Sequence, residues 1–193
     1  GIKRVPSGSY LEYDLKTNFC VGYSSPTFIY VVAGGKLAFV GRNNGKEFVV
    51  FDGVEQKRHE CVPAMGEIDG KLWYVANDGD GDFMVYDGKE GGKYPMIERA
   101  YGNPGVNFNG KLVYAAQKED GNYLLNITGE KSKEYGGVGE IKIINDKLTY
   151  VTMDKGKQKV VYDGKEGKEY SKVANIMDIG GKLVYWAKDD SGE

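Results

Sequence analysis

The sequence predicts an all-β chain, a five-bladed β-propeller, and three observations carry that expectation. One short phrase is written five times, a two-residue turn signal precedes each copy, and no stretch shows helical periodicity. The phrase is Gly35-Lys36-Leu37-Ala38-Phe39. It returns as Gly70-Lys71-Leu72-Trp73-Tyr74, Gly110-Lys111-Leu112-Val113-Tyr114, Asp146-Lys147-Leu148-Thr149-Tyr150 and Gly181-Lys182-Leu183-Val184-Tyr185. Its lysines fall at 36, 71, 111, 147 and 182, in steps of 35, 40, 36 and 35. A period in this range is the mark of a repeat architecture, in which one supersecondary unit recurs.

Each unit reads as four strands. Ahead of the lysine stand Gly34-Gly35, Asp69-Gly70, Asn109-Gly110, Asn145-Asp146 and Gly180-Gly181. These residue types accept the positive φ that type I′ turns impose, so each marks an antiparallel hairpin. The strand after the turn sets Leu and an aromatic on one face, as in Leu72/Tyr74 and Leu148/Tyr150. Its other face is also mostly apolar, with Trp73/Val75, Val113/Ala115 and Val184/Trp186. A sheet open to water on one side would be polar there, so these strands are expected to be covered on both faces. A second turn carries Gly45, Gly81, Gly121 and Gly156. A third strand follows, written Phe48-Val49-Val50-Phe51-Asp52 in the first unit and Phe83-Met84-Val85-Tyr86-Asp87 in the next. A polar turn then leads to a short fourth strand around Tyr94, Tyr135 or Tyr170. Four short antiparallel strands in about 36 residues make one propeller blade.

The blades are placed near 23–55, 56–92, 93–133, 134–169 and 170–193, within a single domain covering residues 1–193. The last is expected to be completed by residues 1–22, because Ser7-Gly8-Ser9-Tyr10-Leu11-Glu12-Tyr13-Asp14 matches the turn and third strand of the other units. Closing the ring this way leaves no exposed strand edge. Position 1 is Gly with no signal-type pattern after it, so a processed chain or a piece of a longer one is expected.

Lys plus Arg number 26 and Asp plus Glu 28, a formal charge of -2 without any run of like charge. A nucleic-acid partner would need a clustered basic face, which weighs against one. No apolar stretch approaches the roughly 18 residues of a membrane span. The 29 glycines against 5 prolines suit many tight turns. Two cysteines, Cys20 and Cys61, are too few for a disulfide framework; half-buried free thiols are preferred, with a bridge between neighbouring units as the alternative. They leave the compartment open, with a secreted or periplasmic site preferred to the cytoplasm.

The phrase Val161 to Tyr170, VYDGKEGKEY, followed by GGKLVYWAKDD, resembles the short repeats of bacterial and archaeal WD40-like or TolB-type propeller proteins. The resemblance covers nearly the whole chain, most clearly residues 30–193. It implies blade architecture and a scaffold or binding role. The Trp-Asp dipeptide of true WD40 blades is absent, and no family binding residue carries over.

Several residues invite chemistry. His59 is the sole histidine. It stands seven residues after Asp52, as Tyr94 stands after Asp87 and Tyr170 after Asp163, so it replaces a repeated structural tyrosine. Asp78, Asp80 and Asp82 open like a calcium loop, but Phe83 and Lys89 occupy the sixth and twelfth positions, where an EF-hand needs Gly and Glu. They read as a solvated hairpin turn, with metal binding a weak second. Glu67, Asn107 and Asp178 each precede a repeat lysine by four residues. On inner strands they would meet near the channel, where paired carboxylates serve glycosidases. Hydrated channel lining is preferred for them. Tyr30 and Tyr101 are candidates for a stacking rim.

The expected function is therefore a non-catalytic, monomeric scaffold for a protein, peptide or glycan, with no cofactor. The alternative is a small glycan-binding or glycoside-hydrolysing propeller built on Glu67, Asn107 and Asp178.

Overall fold

Apolar residues on both sides of one short strand force sheets to stack, and the computed structural model, which describes residues 29–99, 104–130 and 133–189, stacks them in chain order. The first sheet holds β1 (Tyr30–Ala33), β2 (Lys36–Asn43), β3 (Lys46–Phe51) and β4 (Val54–His59). The second holds β5 (Cys61–Ile68), β6 (Lys71–Asn77), β7 (Asp82–Tyr86) and β8 (Lys89–Tyr94). The third is built from β9 (Met96–Ile97), β10 (Val106–Phe108), β11 (Lys111–Gln117), β12 (Tyr123–Ile127) and β13 (Lys133–Tyr135). The fourth contains β14 (Gly137–Ile144), β15 (Lys147–Asp154), β16 (Lys157–Tyr162) and β17 (Lys165–Tyr170). The fifth has β18 (Lys172–Ile179) and β19 (Lys182–Lys188).

Every sheet is an antiparallel meander in sequence order, and among the described residues there is no helix. Each repeat lysine opens the second strand of its sheet. In the third sheet the first strand is split: β9 and β10 both pair with β11, and residues 98–105 separate them in the sequence. The split accompanies the long step of 40 between Lys71 and Lys111. The fifth sheet has two strands among the described residues, and its completion by residues 1–22 lies outside them. Among the described residues no helix is long and apolar enough to cross a membrane.

The turns take the conformation their residues dictate. Both residues of each first turn have positive φ, 49° and 75° at Asp69-Gly70 and 47° and 58° at Asn145-Asp146. That is the type I′ geometry whose twist matches the flanking strands.

One packing rule repeats through the stack. The Leu/aromatic face of each second strand turns to the preceding sheet, and the opposite face turns to the following one. Leu72, Tyr74 and Val85 pack with Ala33, Ala38 and Val49 of the first sheet. Trp73, Val75 and Met84 pack with Leu112, Tyr114 and Ile97 of the third. Val113, Ala115 and Leu125 meet Leu148, Tyr150 and Val161. Val151 and Val160 meet Val173, Leu183 and Tyr185. Trp73 is the largest fully buried side chain. Its indole lies over Gly66 of its own sheet and against Gly105 of the next, and a methyl group at either glycine would overlap it.

Cys61, expected as a free thiol, is disulfide-bonded. Cys20, the only other cysteine in the sequence, lies outside the described residues. The expectation failed because spacing along the chain does not report which segments meet in space.

Trp73→Ala should lower the unfolding free energy by about 3–5 kcal/mol, the range for emptying a large aromatic site. Urea melts followed by circular dichroism measure this, and a loss below about 1 kcal/mol would mean that the second and third sheets are not packed through this residue.

Candidate functional site

Glu67, Asn107 and Asp178 lie at equivalent places, two residues before the first turn of their sheets. Each side chain caps its own turn. Glu67 Oε2 accepts from the Gly70 N–H at 2.9 Å, Asn107 Oδ1 from Gly110 at 3.0 Å and Asp178 Oδ1 from Gly181 at 2.8 Å. Two of them also reach the preceding sheet. Asn107 Nδ2 donates to Asp69 Oδ1 at 3.2 Å, and the Asn145 N–H donates to Asp178 Oδ2 at 3.2 Å. These bonds tie the first turns of the second and third sheets and of the fourth and fifth. All three polar residues are engaged at their own turns, Glu67 there alone.

A second line of fastenings joins the sheets farther along the strands. Tyr135 at the end of β13 and Tyr150 of β15 share a hydroxyl hydrogen bond of 2.8 Å. Tyr170 stands edge-on to Tyr185 in the same relation, with ring centroids 6.1 Å apart, and Tyr94 packs against the cluster that holds Tyr114. His59 ends β4 where those tyrosines end their strands, with its ring 6.1 Å from that of Tyr74 and edge-on to Phe83 at 5.4 Å. It is fully buried, and its Nδ1 lies 2.8 Å from Asp78 Oδ1. Its Nε2 is buried without a hydrogen-bond partner, as fits an imidazole seated where a phenol would otherwise meet its partner.

A third fastening was not foreseen. The residue at the start of the third strand accepts a backbone N–H from the first strand of the next sheet. Glu47 Oε2 takes Val62 at 2.7 Å, Asp82 Oδ2 takes Ile97 at 3.0 Å and Gln158 Oε1 takes Val173 at 2.6 Å. This corrects the reading of the acidic run as a solvated turn. Asp78 faces His59, and Asp80 is exposed beside Lys93, whose ammonium holds its carboxyl below the usual range. Asp82, however, is buried, with Arg99 at 2.7 Å and Asn77 Nδ2 at 2.8 Å. Among the described residues no group of three or more His, Cys, Asp or Glu is placed to hold a metal ion.

The one large departure from the repeat opens a cavity. On the third strand, opposite Gly41 and Ala76 of the second, stand Phe48 and Phe83, both buried. The fourth sheet has Lys159 there, opposite Thr152. Without the phenyl ring a cavity of about 380 Å³ remains between the third and fourth sheets. Its walls include Glu134, Tyr135, Lys157, Lys159, Glu166 and Glu169. Lys159 Nζ lies 3.0 Å from Glu166 and 3.2 Å from Glu169, while Glu134 takes Lys118 at 2.9 Å. Sequence reasoning missed this site, although Lys159 standing where the other sheets carry Phe48, Phe83 and Leu124 was a visible signal. Tyr30 is exposed on the outer face of the first sheet, and Tyr101 lies outside the described residues.

Asp82→Ala should cost about 3–5 kcal/mol in urea melts, because it removes a buried acceptor shared by Asn77, the Ile97 N–H and Arg99. Asp80→Ala should leave stability essentially unchanged, because its carboxylate is exposed to solvent. Burial, with the charge of Glu90, lifts the Tyr74 hydroxyl to about 12, and burial raises Tyr114 and Tyr150 further. These groups are neutral in both folded and unfolded chains below about pH 10, the ordinary tyrosine value. Above it the unfolded chain loses protons that the folded chain keeps, so stability falls from about pH 10 upward. Tyrosinate absorbance should therefore show a delayed fraction that titrates together with alkaline unfolding. Full titration near pH 10 would contradict the burial. No family model, curated protein or solved structure matches the chain, so its function is read from its own residues.

Proposed function

We propose that the chain is a five-bladed β-propeller acting as a non-catalytic scaffold, which binds a protein, peptide or glycan in the cavity between its third and fourth sheets. Five sheets of one design in sequence order support the architecture, with residues 1–22 supplying the missing strands of the fifth. The resemblance to WD40-like and TolB-type propellers supports it as well. The observation that carries the binding reading is Lys159. It replaces an aromatic filler with a charge and opens a polar-walled space, and a volume of this size is in the range of small-ligand sites. Carboxylates, ammonium groups and hydroxyls on its walls suit a hydroxyl- or charge-bearing ligand better than an apolar one. Glu67 and Asp178, the carboxylates a glycosidase reading would need, are each engaged at a turn, which favours binding over hydrolysis.

Titration calorimetry against peptide and glycan panels tests this, using the wild type and Lys159→Phe. The substitution restores the residue type of the first and second sheets and should keep or raise the melting temperature. It should weaken ligand binding by about tenfold or more, roughly 1.4 kcal/mol. Glycan hydrolysis that disappears in Glu67→Gln and Asp178→Asn would overturn the proposal.

A further inference from the structure

One cross-strand row changes character along the stack. It runs from the second strand through the third to the fourth, and reads Gly41, Phe48, Arg58 in the first sheet and Ala76, Phe83, Lys93 in the second. In both, the fourth-strand cation lies over the phenyl ring, at 5.2 Å for Arg58 and 5.8 Å for Lys93. The third sheet keeps an apolar pair, Ala116 and Leu124, but ends the row in Glu134. In the fourth sheet the row is polar throughout, as Thr152, Lys159, Glu169.

The charge at the outer end of the row has therefore reversed. Where two sheets present a cation, the walls of the cavity present Glu134 and Glu169, with Glu166 beside them. Asp154 brings the lining to four carboxylates, against the ammonium groups of Lys157 and Lys159. Lys118 and Asn122 take Glu134. Lys159 is shared between Glu166, at 3.0 Å, and Glu169, at 3.2 Å, and among the described residues no second cation pairs with either. Hydrogen bonds to these two carboxylates push the Lys159 ammonium above the ordinary lysine range.

A separate observation comes from Thr152. It is 6% exposed and stands on the face of β15 that Leu148 and Tyr150 turn to the third sheet, on the cavity wall. The first three sheets have Gly41, Ala76 and Ala116 at this place. The Thr152 hydroxyl meets no hydrogen-bond partner among the described residues. A buried hydroxyl left unmet costs free energy, which a bound donor would offset.

We infer that this cavity takes a cationic group, the ammonium or guanidinium of a lysine or arginine side chain on a peptide, with Glu166, Glu169 and the Thr152 hydroxyl as its acceptors. The inference deepens the binding reading given above and rests on it. Two carboxylates sharing one ammonium have lone pairs to spare for further donors. Hydrogen bonds from an ionised donor to a carboxylate are also roughly twice as strong as neutral ones. An anion in the same space would meet the excess of negative charge, and a neutral sugar would leave it unmatched. Tyr135 and Met153 on the walls offer apolar contact to the stem of such a side chain. A free diamine carries the same charge chemistry without the peptide.

Amide-shift titrations of the isotope-labelled full-length chain test this, with capped Gly-Lys-Gly, Gly-Arg-Gly and Gly-Glu-Gly and with putrescine. The lysine or arginine peptide should shift amides of the cavity walls and bind at least about tenfold more tightly than the glutamate peptide. The Glu166→Gln/Glu169→Gln variant alters two exposed side chains, so its melting temperature should hold while that affinity falls about tenfold. Lys159→Met keeps the stem and removes the competing ammonium, and should raise affinity for the cationic peptide about threefold or more. Tighter binding of the glutamate peptide, undiminished binding in the double variant, or loss of binding in Lys159→Met would each overturn the inference. Putrescine binding more tightly than either cationic peptide would overturn the assignment to a peptide. An uncharged glycan whose binding is lost in Lys159→Phe would overturn the inference and leave the cavity as the binding site. No shift with any of these probes or panels would overturn the cavity reading itself.

Discussion

A sheet of four short strands whose second strand is apolar on both sides has no stable existence in water by itself. Each interior sheet in this chain is such a sheet. Trp73 and Val75 on one side of β6, and Leu72 and Tyr74 on the other, are all buried only because two neighbours cover them. Burial at roughly 25 cal/mol per Å² of apolar surface is gained only when the neighbours are in place. The rest of the structure answers this one demand. The type I′ turns keep strands short and adjacent, and the turn residues carry positive φ so that the next strand returns at once.

Apolar faces alone would allow neighbouring sheets to slide, and three rows of polar fastenings fix their relation. At one end, Asn107 and Asp178 tie the first turns of successive sheets. Toward the fourth strands, Tyr135 bonds Tyr150 of the next sheet and Tyr170 meets Tyr185 edge-on. At the start of the third strands, Glu47, Asp82 and Gln158 take backbone N–H groups from the next first strand. Each satisfies a main-chain donor that would otherwise lie unmet near an interface, where the loss is costly. Buried bonds of this kind select one arrangement among many that hydrophobic contact alone would tolerate.

Features held within one hairpin were legible in the sequence. The five turns, the second-strand position of every repeat lysine and the two-sided burial all follow from residues a few positions apart. The placement of His59 was legible too, because the seven-residue step from Asp52 is local. The acceptor row was not. Glu47, Asp82 and Gln158 share no residue type and look like the polar start of any strand, and their partners lie 15 residues away on another sheet. Asp82 was hidden further by its acidic neighbours, although Arg99 and Ile97 hold it in the interior. The cavity was legible in principle, since Lys159 breaks the apolar series Phe48, Phe83 and Leu124. Its meaning depends on knowing that the position is buried in the other sheets. The disulfide at Cys61 depends on tertiary placement altogether.

Mutual support between sheets is the central physical claim, and native-state hydrogen exchange in rising urea tests it most directly. If no interior sheet stands alone, the slowest amides of β6, β11 and β15 should merge into one exchange isotherm with a common free energy and a common urea dependence. Separate isotherms for the three strands, each opening without the others, would contradict it.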